Sequence, residues 1–376
     1  MYRILVVSPS WVGDTMLTQP MLARPKQRHP GCHIDMLAPP WTEALLRQMP
    51  EVHNVITNPF PHGELQFGER MRFGKQLRTA HYDQVIVLPN SFKSALAPYF
   101  ADIPVRTGYL GEMRYGLLTD ARKLDKKKLP LMVERFALLA EAPNHPLHRH
   151  VPSPHLKVNE EQRRRVLQLF NLSLDKPVAI FCPGAEYGPA KRWPVPYFAE
   201  LAQRVAERGY AVWLVGSPKD REIGDNIVSL GNPECRNLCG RTDLAEAIAL
   251  LSCADLVVSN DSGLMHLAAA LDRPMLALYG SSSPDFTPPL SNKAQIVKLD
   301  LPCSPCFKRV CPLGHFNCMM QLTPNRVAQY ISVPRHRRQD ADFWDRRSHR
   351  PRHWLGSRST QANHHRHRPR WTPVRA

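Results

Sequence analysis

No run of eighteen apolar residues occurs anywhere in the 376-residue chain, which excludes a membrane-crossing helix of ordinary length. The opening Met1-Tyr-Arg-Ile-Leu-Val-Val-Ser lacks the charged, apolar and small-residue regions of an export signal, so a cytoplasmic protein is expected. The Gly-x-Gly-x-x-Gly dinucleotide fingerprint is missing from the first strand–helix turn, where Ser8-Pro-Ser-Trp-Val-Gly-Asp14 carries the single Gly13. A disulfide framework is disfavoured as well. Nine cysteines, an odd number scattered along a large chain, fit reduced thiols better.

The basic excess, +17 with an isoelectric point near 9.7, is not spread over the chain. Between residues 334 and 376 fall twelve Arg, six His and only three Asp, about half of the excess. This stretch has few aliphatic residues, and Trp344, Trp354 and Trp371 follow no helical or strand phase. Residues 332–376 are therefore expected to be disordered, with an out-of-frame origin as the explanation for the abrupt change. A nucleic-acid-binding protein acting through this tail is the non-enzymatic alternative. It is disfavoured because no nucleic-acid-binding motif accompanies the charge, and no nucleic-acid partner is expected.

The rest of the chain alternates short apolar runs with amphipathic segments. Residues 3–7, 33–38, 53–57, 84–88 and 105–108 read as strands, interleaved with helical stretches such as 42–49, 69–79 and 92–100. After a polar, Pro- and His-rich linker at 141–155 the pattern restarts. Strands are expected at 178–182, 211–215, 256–259 and 275–279, with helices at 160–170, 196–208, 244–253 and 263–271. Such alternation predicts an α/β protein of two Rossmann-like, doubly wound domains facing a central cleft, spanning 1–150 and 151–331. Pro25 falls where the first helix should still be running, which costs about 3 kcal/mol or more in a helix interior.

Four constellations carry chemistry. Asp14 lies just beyond the first strand, where a carboxylate could take a proton from a hydroxyl or simply cap the next helix. Cys182-Pro-Gly-Ala-Glu-Tyr-Gly-Pro-Ala-Lys191-Arg192-Trp193 is a Gly/Pro-rich loop whose amides and cations suit a phosphate; the bland reading is a solvated surface loop. In Val257-Val-Ser-Asn-Asp261-Ser262-Gly263-Leu-Met-His266 a buried strand runs into a helix start, an anion site as well as a cap. His266 shares a helix face with Ser262. Finally, Cys303, Cys306, Cys311 and Cys318 fall within sixteen residues at x2, x4 and x6 spacing. That spacing fits a structural thiolate site for zinc or iron, with His315 as a substitute ligand, or a loop with incidental thiols.

In combination, Ser10-Trp-Val-Gly-Asp14, Leu88-Pro-Asn-Ser-Phe-Lys93-Ser, Arg106-Thr-Gly-Tyr-Leu-Gly-Glu-Met-Arg114, the Lys191 loop, Ser259-Asn-Asp261-Ser-Gly-Leu-Met-His266 and Tyr279-Gly-Ser-Ser-Ser-Pro-Asp resemble the lipopolysaccharide heptosyltransferases of glycosyltransferase family nine. The resemblance runs to about residue 331. It implies a GT-B fold and inverting transfer of L-glycero-D-manno-heptose from ADP-heptose to the first heptose of a lipid A–Kdo–heptose acceptor, at the cytoplasmic face of the inner membrane. A heptosyltransferase I-like enzyme or a protein O-heptosyltransferase is the alternative within the family. By the same resemblance Asp14 is the general base and Lys191 the diphosphate-binding lysine. Gly184, Ala185, Glu186, Arg192, Ser217, Asp261, Ser262, Gly263 and His266 belong to the donor site, with Asp220 or Glu222 as ribose partner. Trp11, Gly13, Asn90, Lys93, Arg106 and Arg114 are expected to meet the acceptor. Metal-dependent sugar transferases commonly use an Asp-x-Asp pair, and the one such pair here, Asp340-Ala-Asp342, lies in the tail. No catalytic cofactor is therefore expected.

Overall fold

The computed structural model describes residues 1–61, 63–143, 145–147, 151–231 and 234–331, all within one compact unit. The tail beyond 331, with its tryptophans and Asp340-Ala-Asp342, lies outside the described residues. Arg3–Val7 (β1), His33–Ala38 (β2), Asn54–Thr57 (β3), Gln84–Val87 (β4), Val105–Tyr109 (β5) and Asp120–Arg122 (β6) form one sheet. Val178–Cys182 (β7), Ala211–Leu214 (β8), Arg236–Asn237 (β9), Leu256–Asn260 (β10), Met275–Tyr279 (β11) and Ala294–Lys298 (β12) form a second.

The strand orders, β3-β2-β1-β4-β5-β6 and β12-β11-β10-β7-β8-β9, are one doubly wound pattern used twice, with every described pairing parallel. The expected pair of Rossmann-like sheets is thus present. β7, β10 and β11 are buried at every position, the continuous apolar run of a sheet covered on both faces. In each half the strand order reverses between two neighbours, β1 and β4 or β7 and β10. A crevice opens there at the carboxyl ends, where ligands of such sheets bind. The motifs that carry Asp14, Lys93, Lys191 and Asp261 each follow one of these four strands.

Three strands escaped the sequence pattern. β6, β9 and β12 are part-exposed edge strands, β6 and β9 short and polar and β12 interrupted by Gln295, so no long apolar run announces them. Pro25 does not break its helix, which runs over Gln19–Arg28. The helix end is tied down from outside: Arg24 and Arg28 both pair with Glu141, and the His29 amide donates to Pro25 O at 2.8 Å.

The linker is anchored to both halves. The Gln19 side chain accepts from the His155 amide at 2.6 Å and donates to its carbonyl at 2.9 Å. The next amide, Leu156 N, donates to Ala270 O at 2.9 Å. Helix Met132–Leu139 packs on helix Gln19–Arg28, and its Met132 amide donates to Phe286 O at 3.0 Å in the second half. One apolar cluster runs through both halves, joining Ile4, Met16 and Met21 with Met265, Leu267 and Tyr279. No helix among the described residues is long and apolar enough to cross a membrane.

Candidate active site

Two helices start at the switch-point strands and meet across the cleft. After β1 the chain turns through Ser8–Ser10 into helix Val12–Met16. After β10 it turns through Asp261 and Ser262 into helix Gly263–Ala270. A Cβ added to Gly13 would lie 2.7 Å from His266 Cδ2, and one added to Gly263 would lie 3.1 Å from Val12 Cβ. Both glycines are therefore demanded by close approach. The crossing brings Asp14 of one half beside Asp261 and His266 of the other.

Asp14 is not the helix cap: the N-cap is Trp11 and no side chain caps this end. Its pKa is raised to about 6, chiefly by burial, with Lys191 pulling it down and Asp261 pushing it up. A carboxylate so poised is a stronger base than an exposed one and is still mostly ionised at neutral pH. His266 is pushed the other way, to about 4, chiefly by burial. It is therefore neutral at physiological pH. Its Nδ1 is buried without a hydrogen-bond partner.

Lys191 ends a one-turn 3-10 helix, Pro189–Lys191, in the loop that leaves β7. Its ammonium donates to Asp261 Oδ2 at 2.5 Å, and the Ser282 hydroxyl donates to the same oxygen at 2.5 Å. The ammonium also lies 5.2 Å from the Tyr187 ring centroid. Asn260, the last residue of β10, holds both ends of the loop: Nδ2 donates to Pro183 O at 2.7 Å, and Oδ1 accepts from the Trp193 amide at 3.1 Å. Helix Gly263–Ala270 starts at Ser262 with no side-chain cap, leaving its first N–H groups free for an anion. A cation and a helix N-terminus, groups that suit an anion, thus lie near Asp14.

The remaining donor-side residues divide. Asp220 Oδ2 accepts from Ser217 N at 2.9 Å and Ser217 Oγ at 2.7 Å. Its carboxylate packs so close to Gly184 that a Cβ there would come within 2.3 Å. Asp220 is buried and shapes the loop, whereas Glu222 is exposed in the first turn of helix Arg221–Leu230. Ala185 is buried, its carbonyl accepting from Arg192 at 3.5 Å, and exposed Glu186 pairs with Lys219.

On the acceptor side Trp11 and Asn90 are exposed and Lys93 is half-buried. One expectation needs correction. Arg114 is fully buried. Its guanidinium donates to the carbonyls of Tyr109 (3.0 Å from Nε) and Pro89 (2.7 Å), to Ser94 Oγ (3.2 Å) and to Asn90 Oδ1 (3.2 Å). Burial lowers its pKa to about 10. Arg114 builds the floor of the loop after β4 and has no surface to offer a ligand. Arg106 is half-buried, its guanidinium donating to Leu117 O and Ile103 O, each at 2.6 Å. Ser282, Asn260 and Tyr187 lie within the quoted motifs but were given no role, since nothing in the motifs shows which of their residues meet in space.

Cys303, Cys306, Cys311 and Cys318, with His315, line one small cavity together with Ala190 and Ser281. These four cysteines are part-exposed, whereas the other five are buried.

Residues 70–317 match the model of glycosyltransferase family 9 (heptosyltransferase). The chain is 49% identical to lipopolysaccharide heptosyltransferase 2 of Salmonella typhimurium over 338 residues, 88% of this chain and 97% of that one. It is 48% identical to the Escherichia coli enzyme of the same name over 340 residues, 88% of this chain and 98% of that one. The solved structure of E. coli ADP-heptose lps heptosyltransferase II superposes with a TM-score of 0.79 at 44% identity, covering 92% of this chain and 99% of that chain. Fold, switch-point site and likeness over nearly the full length of these relatives agree: the chain belongs to glycosyltransferase family 9, the heptosyltransferases.

Proposed function

We propose that the protein moves L-glycero-D-manno-heptose from ADP-heptose to the first heptose of the lipopolysaccharide inner core, with inversion. The observation that carries this reading is the crossing at Gly13 and His266, which sets a half-buried, raised-pKa carboxylate against a lysine and an uncapped helix start. Relatives named as the second heptosyltransferase over 88% of this chain support the choice of acceptor. Asp14 withdraws the proton from the acceptor hydroxyl as that oxygen attacks the anomeric carbon. ADP departs from the opposite face. Lys191 and the first amides of helix Gly263–Ala270 balance the charge that develops on the diphosphate.

Asp261, itself fixed by the Ser282 hydroxyl, holds the Lys191 ammonium in place, so little reorganisation is needed when the donor arrives. Gly184, Ala185, Glu186, Arg192, Ser217 and Glu222 surround the rest of the donor, and Asp220 positions Gly184. Trp11, Asn90 and Lys93 meet the acceptor. The lipid-linked acceptor implies work at the cytoplasmic face of the inner membrane, by peripheral contact. Incubation with ADP-heptose and lipopolysaccharide carrying a single heptose should add one heptosyl residue by mass. Transfer only to heptose-free acceptor, or only to protein, would replace this acceptor assignment with another in the family.

A further inference from the structure

We propose that Cys303, Cys306, Cys311 and Cys318 bind one thiophilic metal ion, zinc(II) or iron(II), and that this ion stiffens the loop on which Lys191 is braced. Three independent observations support it. The four cysteines line a single cavity of about 20 Å³, room for one ion or one water. Gly280 backs onto it, since a Cβ there would lie 3.1 Å from Cys318 Sγ. The backbone N–H groups of Leu313, Gly314, His315 and Phe316 face the Cys311 sulfur, as amides gather around a thiolate ligand.

The third observation is the loop itself. Between β12 and helix Asn317–Met320 the chain forms no helix or strand, a length at which compact domains rarely leave a connection unsupported. Its own apolar side chains do not hold it: Phe307, Val310 and Leu313 are 50%, 58% and 60% exposed. A metal supplies the cohesion that a core this small cannot. No three His, Cys, Asp or Glu side chains among the described residues converge closely enough to enclose an ion. Binding therefore requires cysteine side chains to change between staggered rotamers, a local movement around the existing cavity.

The consequence for the active site follows from the contacts of this loop. Arg309 O accepts from the Ala190 amide at 3.0 Å, and Phe307 O accepts from the Tyr187 hydroxyl at 2.8 Å. The Phe307 amide donates to Ser281 O at 2.6 Å, and Ser304 Oγ donates to Gly280 O at 2.7 Å. The cysteine loop thus supports the residues on either side of the Lys191–Asp261–Ser282 cluster. Metal occupancy stands apart from the proposed function, whereas the effect on Lys191 rests on it.

The test uses the full chain, purified under reducing conditions from medium supplied with both metals. Elemental analysis should find about one zinc or iron per chain, and chelation should expose four additional thiols to a thiol reagent. Cobalt(II) added to the stripped protein should give intense visible bands and sulfur-to-cobalt charge transfer. The paired variants C303S/C306S and C311S/C318S should lose both. Stripped protein should bind ADP several-fold more weakly and recover on reloading. Protein that carries no metal and gives no cobalt bands would overturn the site, as would thiols found paired as disulfides or metal retained by both variants. If the variants do not fold, the cobalt titration and thiol count of the unmodified chain decide. Full occupancy with ADP affinity unchanged on stripping would overturn the bracing role while leaving the metal.

Discussion

The Lys191 ammonium donates to Asp261 Oδ2 at 2.5 Å, joining a loop that leaves β7 to the turn that leaves β10. Asp261 is buried and Lys191 nearly so. Removing the lysine alone leaves a buried carboxylate with only Ser282 for a partner, and such breaks cost about 3–5 kcal/mol. Lys191→Ala should therefore lose both stability and ADP affinity, the latter by roughly ten- to hundredfold. Adding Asp261→Asn should return much of the stability and none of the affinity. Calorimetry with ADP and urea denaturation separate the two effects; ADP affinity restored by the second change would assign the lysine a purely structural role.

Asp14 must be ionised to accept a proton. With its pKa raised to about 6, turnover should hold near pH 7.5 and fall about tenfold per unit below pH 6. Asp14→Asn should lower kcat by about 10²–10⁴ while ADP binding persists, and should abolish this acid limb. A limb that survives the substitution would belong to another group.

The same shift has a stability sign. The folded state holds the Asp14 proton more tightly than the unfolded chain. Its contribution to stability is therefore complete below the ordinary carboxylate pKa and is lost as pH rises through about 6. Asp14→Asn removes that loss and should stabilise the protein at pH 7.5 by about 1–3 kcal/mol, with no gain near pH 4. Urea midpoints at the two pH values check it.

Gly13→Ala places a methyl 2.7 Å from His266 Cδ2. Overpacking of this kind costs about 1–3 kcal/mol. The shift of Asp14 should depress kcat more than the KM for either substrate. His266→Ala in the same chain should recover part of the stability. If Gly13→Ala alone leaves kcat intact, the crossing does not set the position of Asp14.

Arg114→Ala tests the correction made on the acceptor side. Removing a buried guanidinium strands the carbonyls of Pro89 and Tyr109, so a loss of about 3 kcal/mol or more is expected, with acceptor KM little changed at permissive temperature. Lys93→Ala should do the reverse, raising acceptor KM and leaving the urea midpoint within about 0.5 kcal/mol.

Much of this was legible in the sequence because doubly wound sheets advertise themselves. β1, β7 and β11 are apolar runs bounded by turn residues, and Asp14, Lys191 and Asp261 are polar residues placed just beyond such runs or their neighbours. Long-range pairing was not legible. Nothing local distinguishes Arg114, fully buried with six donated hydrogen bonds, from a solvated arginine such as Arg72; only the turn that folds it back beneath Pro89 does so. Ser282 and Asn260 act through residues 21 and 67 positions away, a separation that no periodicity encodes. The edge strands β6 and β9 were hidden for the opposite reason, since their polar residues bury too little to leave a pattern.

The most direct measurement is mass spectrometry of single-heptose lipopolysaccharide acceptor after incubation with ADP-heptose and the purified chain. The account predicts a gain of one heptosyl residue with the unmodified protein, at least a hundredfold less with Asp14→Asn at equal ADP binding, and inverted anomeric configuration in the product. Equal transfer by the Asp14→Asn protein, or none by the unmodified chain on this acceptor, would contradict it.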